Sequence, residues 1–203
     1  MSQNHRIGLM GGSFDPIHLG HIAIAEEARN ALDLQSVLFI PSGRPPHKAH
    51  LGASAQQRLE MTRLAVLDLP WARACDVEVF REGIIYTVDT LQILSAQHPL
   101  ADFYYIIGAD TLLDLPNWRN TQKVCTMCSF ICVHRPGIAL DEVNRALDQM
   151  RAVYRARIHL ISATGPDVSS TEIRRRILEG CSTREQLPET VRSYIDRENL
   201  YRS

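Results

Sequence analysis

The chain has 203 residues, of which 45% are hydrophobic and 22% charged, and its formal net charge is −1. That length and usage suit one globular domain with a sizeable core and exclude a disordered or fibrous chain. The near-neutral balance excludes attachment to nucleic acid by bulk charge, and no run approaches the ~20 apolar residues of a membrane span.

Residues 7–10, Ile-Gly-Leu-Met, read as a short buried strand stopped by Gly11 and Gly12. Residues 19–32, rich in Ala and Glu, read as a helix. The apolar run 37–40 is a second strand ended by Pro41, and 42–52 is a loop carrying Gly43, Pro45 and Pro46. Ser54 opens a helix to about Leu67, residues 74–79 are strand-like, and 88–97 are helical up to Pro99. The apolar strand 103–107 leads into Gly108, a short helix and the loop around Pro116. Residues 130–133 form a strand closed by Arg135-Pro136-Gly137. Then come a helix at 140–154, a strand at 158–161 and two last helices at 171–179 and 189–196.

Short apolar runs separated by helical stretches are the mark of βαβ units, whose parallel strands are buried on both faces. The expectation is an α/β chain with a doubly wound, mostly parallel sheet and C-terminal helices. It reads as a single domain, 1–203, with 165–203 as its C-terminal helical part. In such a sheet ligands gather beyond the carboxyl ends of the strands. Five cysteines, an odd number, with no leader-like segment ahead of the first strand, lead to the expectation of a reducing cytoplasm.

The first strand runs into Gly11-Gly12-Ser13-Phe14-Asp15-Pro16-Ile17-His18-Leu19-Gly20-His21. Two glycines permit a sharp turn, and the helix that follows offers its N-terminal N–H groups and positive dipole end to an anion. His18 and His21 stand three apart, on one face of the first turn, where both imidazoles can donate to phosphate oxygens. Neither a Gly-Lys-Ser/Thr nor a GxGxxG spacing is present, and two histidines are too few to ligate zinc. After the last strand, Ser169 and Glu172 fit a capping box, Ile173 and Ile177 face the core, and Arg174 projects near the positive helix end. Hydroxyls of Ser170 and Thr171, backbone N–H groups and the Arg174 guanidinium can converge on one anion. Arg175 and Arg176 read as a solvated face.

Lys48, in Pro45-Pro46-His47-Lys48, is a point-charge phosphate ligand by type. Asp110, after the strand that ends in Gly108, is placed to accept from ribose hydroxyls. Trp118 offers an indole face on which a ring can stack. Backbone donors at the helix start near Thr87 suit a carboxylate. Cys125, Cys128 and Cys132, in CxxCxxxC beside His134, read as small core residues rather than metal ligands.

At the Gly-rich turn the chain resembles the nucleotidylyltransferase superfamily, marked by (H/T)xGH, and GGSFDPIHLGH is similar to its bacterial nicotinate mononucleotide adenylyltransferases. The resemblance extends to SSTxIR at Ser169 to Arg174, to PPH(K/R), to the Tyr86-Thr87 segment and to GxDxLxxLPxW from Gly108 to Trp118. It implies a Rossmann-like fold and transfer of the adenylyl group of ATP to nicotinate mononucleotide, giving deamido-NAD and pyrophosphate in NAD biosynthesis. It implies catalytic roles for His18, His21 and Arg174. ATP would meet Gly11, Gly12, Ser13, Phe14, Gly20, Gly108, Asp110, Ser169, Ser170 and Thr171 as well. The mononucleotide would meet Lys48, Tyr86, Thr87, Asp110, Trp118 and Arg119. Mg2+ would arrive with ATP, bridging pyrophosphate oxygens, with no metal held by the protein alone. No nucleic acid or membrane partner is implied, and a homo-oligomer is compatible with the sequence without being determined by it. A phosphate nucleophile is already ionised near neutral pH, so direct in-line attack needs no general base or covalent intermediate. Nicotinamide mononucleotide or phosphopantetheine as acceptor, or a non-catalytic nucleotide-binding regulator, are the alternative readings. Pantetheine-phosphate adenylyltransferases usually carry Thr where this chain has His18. Class I aminoacyl-tRNA synthetases are larger and carry a KMSKS loop, absent here.

Overall fold

The apolar runs of the sequence become strands in the computed structural model, which describes residues 5–44, 51–134, 138–162 and 164–202. In chain order the elements are β1 (His5–Gly12), α1 (Leu19–Leu32), β2 (Ser36–Pro41), α2 (Ala55–Ala65), β3 (Ala72–Ala74), α3 (Thr87–Gln97), β4 (Ala101–Gly108) and α4 (Ala109–Asp114). A 3₁₀ turn (Leu115–Asn117), α5 (Thr121–Met127), β5 (Ser129–His134), α6 (Leu140–Tyr154), β6 (Ile158–Ser162), α7 (Ser170–Leu178) and α8 (Glu189–Arg197) complete the chain.

The sheet has six strands in the order β3-β2-β1-β4-β5-β6. β1 pairs with β4, β4 with β5 and β5 with β6, all parallel; Ile7 stands opposite Phe103 and Ile106 opposite Ile131. This is the doubly wound α/β architecture expected from the run-and-helix alternation. β5 shows why its strands read as unbroken apolar runs: every residue from Ser129 to Val133 is buried. The strand order reverses at β1 and β4, so the segments that leave these two strands are where ligands gather in folds of this class.

The described residues form two compact units. One draws on Met1–Met10, Ala25–Val37 and Tyr86–Thr164, the other on Gly11–Ile24, Leu38–Ile85 and Gly165–Ser203. In the first, α3 packs on α5 and α4 on α6, with Leu91, Leu112, Val124, Phe130, Val143 and Met150 buried. In the second, α2 packs on α8, with Phe39, Leu59, Met61, Ile173, Val191 and Ile195 buried. Each such side chain contributes roughly 1.5–3 kcal/mol of transfer free energy. The Thr190 hydroxyl, on α8, donates to Leu64 O at 2.9 Å and fixes that helix pair in register. Among the described residues no helix is long and apolar enough to cross a membrane.

Two expectations about elements need correction. The strand expected at 74–79 lies instead at Ala72–Ala74. Cys75 still donates its N–H to Phe39 O at 2.8 Å, but beyond it Val79 N–H closes a turn on Asp76 O at 2.9 Å, so the alternating Val77 and Val79 curl away from the sheet. A helix not expected from sequence, α5, follows Asn120, which adopts a left-handed conformation (φ 59°). The Thr121 hydroxyl anchors it, placed to donate to Trp118 O at 2.7 Å and to Leu115 O at 3.1 Å. The Arg135-Pro136-Gly137 segment and most of the expected loop at 42–52 fall outside the described residues.

Candidate active site

The turn after β1 is built around two stacked imidazoles. His18 and His21 sit one helical turn apart at the start of α1, and their ring centroids are 3.6 Å apart at an interplanar angle of 22°. His18 is buried, whereas His21 is half-buried. The His18 N–H donates to His21 Nδ1 at 3.2 Å. With Nδ1 accepting, the proton of the neutral His21 ring sits on Nε2. Phe14, buried and at φ 48°, meets the His21 ring edge-on at a centroid distance of 5.0 Å. The ring of His21 is thus held from three directions before any ligand arrives.

Not every donor of this turn is left for a ligand. Leu19, the first residue of α1, donates its N–H to Gln186 O at 2.9 Å. Its neighbour Gly20 lies against His18: a Cβ there would stand 3.1 Å from His18 Nδ1 and 3.2 Å from Pro166 O. Gly20→Ala is therefore expected to tilt the His18 ring and lower turnover by roughly tenfold or more, since ångström-scale misplacement at a reacting centre costs up to about a hundredfold. Turnover measured alongside the thermal midpoint checks this; an unchanged kcat contradicts it.

The segment Ser169 to Arg174, expected as a phosphate clamp, lies in the same unit and is bonded to the Gly-rich turn. Ser170, the first residue of α7, donates its hydroxyl to Pro16 O at 2.9 Å. Arg174 donates from Nη1 to Asp15 O at 2.6 Å, and its Nη2 lies 3.4 Å from Thr171 Oγ1. The guanidinium is a third exposed, so it holds the Gly-rich turn and still offers an edge outward. Ser169 and Thr171 are exposed at the helix start. The capping box does not form: Ser169 is the N-cap residue without a side-chain cap bond, and Glu172 instead accepts from Arg175 at 2.6 and 2.8 Å. An ion pair three residues along the same helix outcompetes the reach back to the cap. Arg175 also donates to Glu179 and stays on the exposed face, and Arg176 donates to Ser182 O.

Three residues that hold this turn were not singled out from sequence. Asp15 is buried, and its carboxylate accepts the N–H groups of Gly52 (2.8 Å) and Ala53 (3.1 Å) and the hydroxyl of Tyr201 (2.8 Å). Arg58 is the largest fully buried side chain; it donates to Ser13 O, to Ser42 O at 2.6 Å and to Gly43 O at 3.1 Å. Burial pushes its guanidinium below the usual arginine range, against the opposing pull of Asp15. Tyr201 is the third, and the burial that surrounds it pushes its hydroxyl far up, so the proton stays on. A signal for Arg58 did exist. It shares the buried face of α2 with Thr62 and Ala65, spaced as a core stripe, which is an abnormal place for an unpaired cation.

In the other unit, the residues expected around a mononucleotide are arranged as follows. Tyr86 is the N-cap residue of α3, its N–H donating to the Asp89 carboxylate at 3.3 Å, and Thr87 is the first helical residue. The Arg119 guanidinium lies over the Tyr86 ring, 4.6 Å from its centroid, which ties the loop before α5 to the start of α3. Trp118 is half-buried and meets Tyr105 edge-on at 5.8 Å. The bond from Thr121 to Trp118 O fixes the backbone under the indole. Gly108 is the N-cap residue of α4 and Asp110 is exposed in its first turn. Lys48 lies outside the described residues.

The CxxCxxxC cysteines occupy core positions. Burial pushes the thiols of Cys125 and Cys132 up to about 11 and that of Cys128 up to about 12. Cys128 Sγ points at Val124 O and His134 Nε2 lies 2.9 Å from Ile138 O. Among the described residues no group of three or more His, Cys, Asp or Glu is gathered in a way that could hold a metal ion.

The chain as a whole is similar to known proteins. The family model described as cytidylyltransferase-like covers residues 9–176. A protein of Roseiflexus sp. (strain RS-1), described as "Probable nicotinate-nucleotide adenylyltransferase", is 45% identical over 97% of this chain and 98% of its own. One of Desulfitobacterium hafniense (strain DSM 10664 / DCB-2), described in the same words, is 41% identical over 97% of this chain and 96% of its own. Among solved structures, the Plasmodium falciparum nicotinic acid mononucleotide adenylyltransferase complexed with NaAD superposes with a TM-score of 0.80 at 21% identity, covering 97% of each chain. At that identity the superposition speaks for the shared fold alone, but the sequence relatives match at 41–45% identity over nearly the full length of both chains. The chain therefore belongs to the cytidylyltransferase-like family and, within it, to the nicotinate-nucleotide adenylyltransferases.

Proposed function

We propose that the protein transfers the adenylyl group of ATP to nicotinate mononucleotide, releasing pyrophosphate and forming deamido-NAD. The observation that carries this reading is the His18–His21 pair, stacked at 3.6 Å and tied by the His18 N–H to His21 Nδ1 bond. A phosphate oxygen of the mononucleotide attacks the α-phosphorus, a new P–O bond forms, and the bond to the pyrophosphate oxygen breaks. That nucleophile has its second pKa near ~6 and is ionised at neutral pH, so no side chain need take a proton from it. The protein's work is positioning and stabilisation of charge on the transferring group. His18 and His21 supply neutral N–H donors to that charge, with the α1 dipole behind them. Ser169, Thr171 and the outward edge of Arg174 receive the leaving pyrophosphate, while Gly11, Gly12, Ser13 and Phe14 shape the turn.

Mg2+ suits this site as a companion of the nucleotide. Asp15, the carboxylate within the turn, is already saturated by two N–H groups and a hydroxyl, and Mg2+ needs few protein ligands when phosphates supply oxygens. The phosphates held by these residues would therefore supply the oxygens that hold the ion, whose contribution would be to neutralise phosphate charge.

For the acceptor, Trp118 offers a face to the positively charged pyridine ring, and the first turn of α3 at Thr87 offers backbone donors to its carboxylate. Asp110 accepts from ribose hydroxyls, and Lys48 meets phosphate. Five free thiols accord with a reducing cytoplasm. Trp118→Ala is expected to raise the KM for the mononucleotide roughly tenfold, the scale of one lost stacking or cation–π contact, and to leave the KM for ATP unchanged. Equal effects on both substrates would remove Trp118 from the acceptor site. The reading as a whole is tested by incubating the purified protein with ATP and nicotinate mononucleotide, where deamido-NAD and pyrophosphate should appear in equal amounts.

A further inference from the structure

The Asp15 carboxylate gathers three separate stretches of chain. Its Oδ2 accepts from Gly52 N–H at 2.8 Å, and its Oδ1 accepts from Ala53 N–H at 3.1 Å and from the Tyr201 hydroxyl at 2.8 Å. Its own carbonyl accepts from Arg174 at 2.6 Å. Asp15 stands three residues before His18, in the turn that sets the imidazole pair. Tyr201 comes 186 residues later, in the short segment after α8, and it is buried. Its ring lies against Gly52, where an added Cβ would stand 2.7 Å from two ring carbons. Its hydroxyl is also 4.0 Å from Met61 Sδ, so the phenol fills a site that offers one strong acceptor, the Asp15 carboxylate.

We infer that Tyr201 is a positioning residue for adenylyl transfer: its hydroxyl, through Asp15, fixes the turn that aims His18 and His21. This rests on the function proposed above. The logic is geometric. A buried carboxylate must be satisfied by donors, and the set of donors decides where it sits. Two of the donors are backbone N–H groups that belong to the segment entering α2. The third is a side chain that arrives only when the end of the chain docks. Removing that hydroxyl leaves Oδ1 one donor short and frees the carboxylate to follow Gly52 and Ala53. The Asp15 backbone moves with it, and the Arg174 bond to Asp15 O moves too. Both halves of the phosphate clamp hang on the same residue.

Tyr201→Phe is the sharpest variant, because it keeps the ring against Gly52 and deletes one oxygen. A positioning role predicts that kcat falls about tenfold or more while the KM values for ATP and mononucleotide stay within about twofold. A merely structural role predicts a lower thermal midpoint with kcat per folded molecule unchanged, and that result overturns the inference. Asp15→Asn gives the second test. If Tyr201 acts through Asp15, the double variant Tyr201→Phe/Asp15→Asn is no slower than Asp15→Asn alone; fully additive losses overturn the inference. Gly52→Ala, which crowds the phenol from the other side, is expected to reproduce the kcat loss of Tyr201→Phe, and a normal kcat with a displaced ring would count against the link. Wild-type protein in the same assay separates the two claims. If wild type forms no product, the functional reading fails; if wild type is active and Tyr201→Phe equals it, only the positioning role fails.

Discussion

His21→Ala is expected to lower turnover by at least ~100-fold while the thermal midpoint stays close to that of the wild type. His21 Nδ1 takes its hydrogen bond from the His18 N–H, which puts the ring proton on Nε2, the donor proposed for charge that develops on the transferring phosphoryl group. Alanine keeps the helix, since the first turn of α1 favours no particular side chain at that place, and the half-buried ring carries little of the core. The loss should fall on kcat more than on KM, because a donor aimed at the transition state contributes little to ground-state binding. His21→Asn, which restores a neutral N–H donor at shorter reach, should recover part of the rate. Near-normal turnover in the alanine variant would remove His21 from the chemistry, and a parallel collapse of the thermal midpoint would make it a structural residue instead.

Arg58→Met should cost about 3–5 kcal/mol of stability, the range for removing one member of a buried charged network. The substitution keeps the length of the stem but strands three carbonyls, those of Ser13, Ser42 and Gly43, beside a buried Asp15. For a chain of this size each kcal/mol moves the thermal midpoint by about 2–4 °C, so a fall of roughly 6–20 °C is expected. Arg58→Lys keeps charge but lacks the planar fork that spans acceptors on both the Gly-rich turn and the residues after β2, and it should fall between the two. Turnover should drop as well, because Ser13 belongs to the turn. Thermal unfolding of the three proteins decides the matter, and a midpoint within 2 °C for Arg58→Met would contradict the network's importance.

These two predictions mark what the sequence made legible and what it concealed. The helices at 19–32 and 140–154 could be read to the residue from apolar spacing and from turn residues at their ends. The two segments proposed to meet phosphate could be singled out as well, because their chemistry lies in residues adjacent along the chain: two histidines three apart, or hydroxyls and an arginine on one helix start. What could not be read are the partners brought from afar. Arg174 was expected to meet an anion, yet its shortest bond is to Asp15 O. Nothing local says so, because the acceptor is a carbonyl, and every residue has one. Asp15 and Tyr201 are joined across 186 positions. β3 was misplaced because Val77 and Val79 alternate like a strand, whereas Asp76 and Glu78 carbonyls close turns there. α5 was missed because Thr121-Gln-Lys-Val-Cys-Thr-Met has modest helix propensity, and its start is fixed by the Thr121 hydroxyl rather than by periodicity.

The central claim is that this chain joins an adenylyl group to a pyridine mononucleotide bearing a carboxylate. It is tested most directly by pyrophosphate release from ATP, measured in parallel with nicotinate mononucleotide, nicotinamide mononucleotide and phosphopantetheine. Rapid release is expected with nicotinate mononucleotide, with kcat/KM lower by roughly tenfold or more for the amide, which gives up charge at the α3 terminus, and no release with phosphopantetheine. Release with none of the three, or a preference for phosphopantetheine, would contradict it.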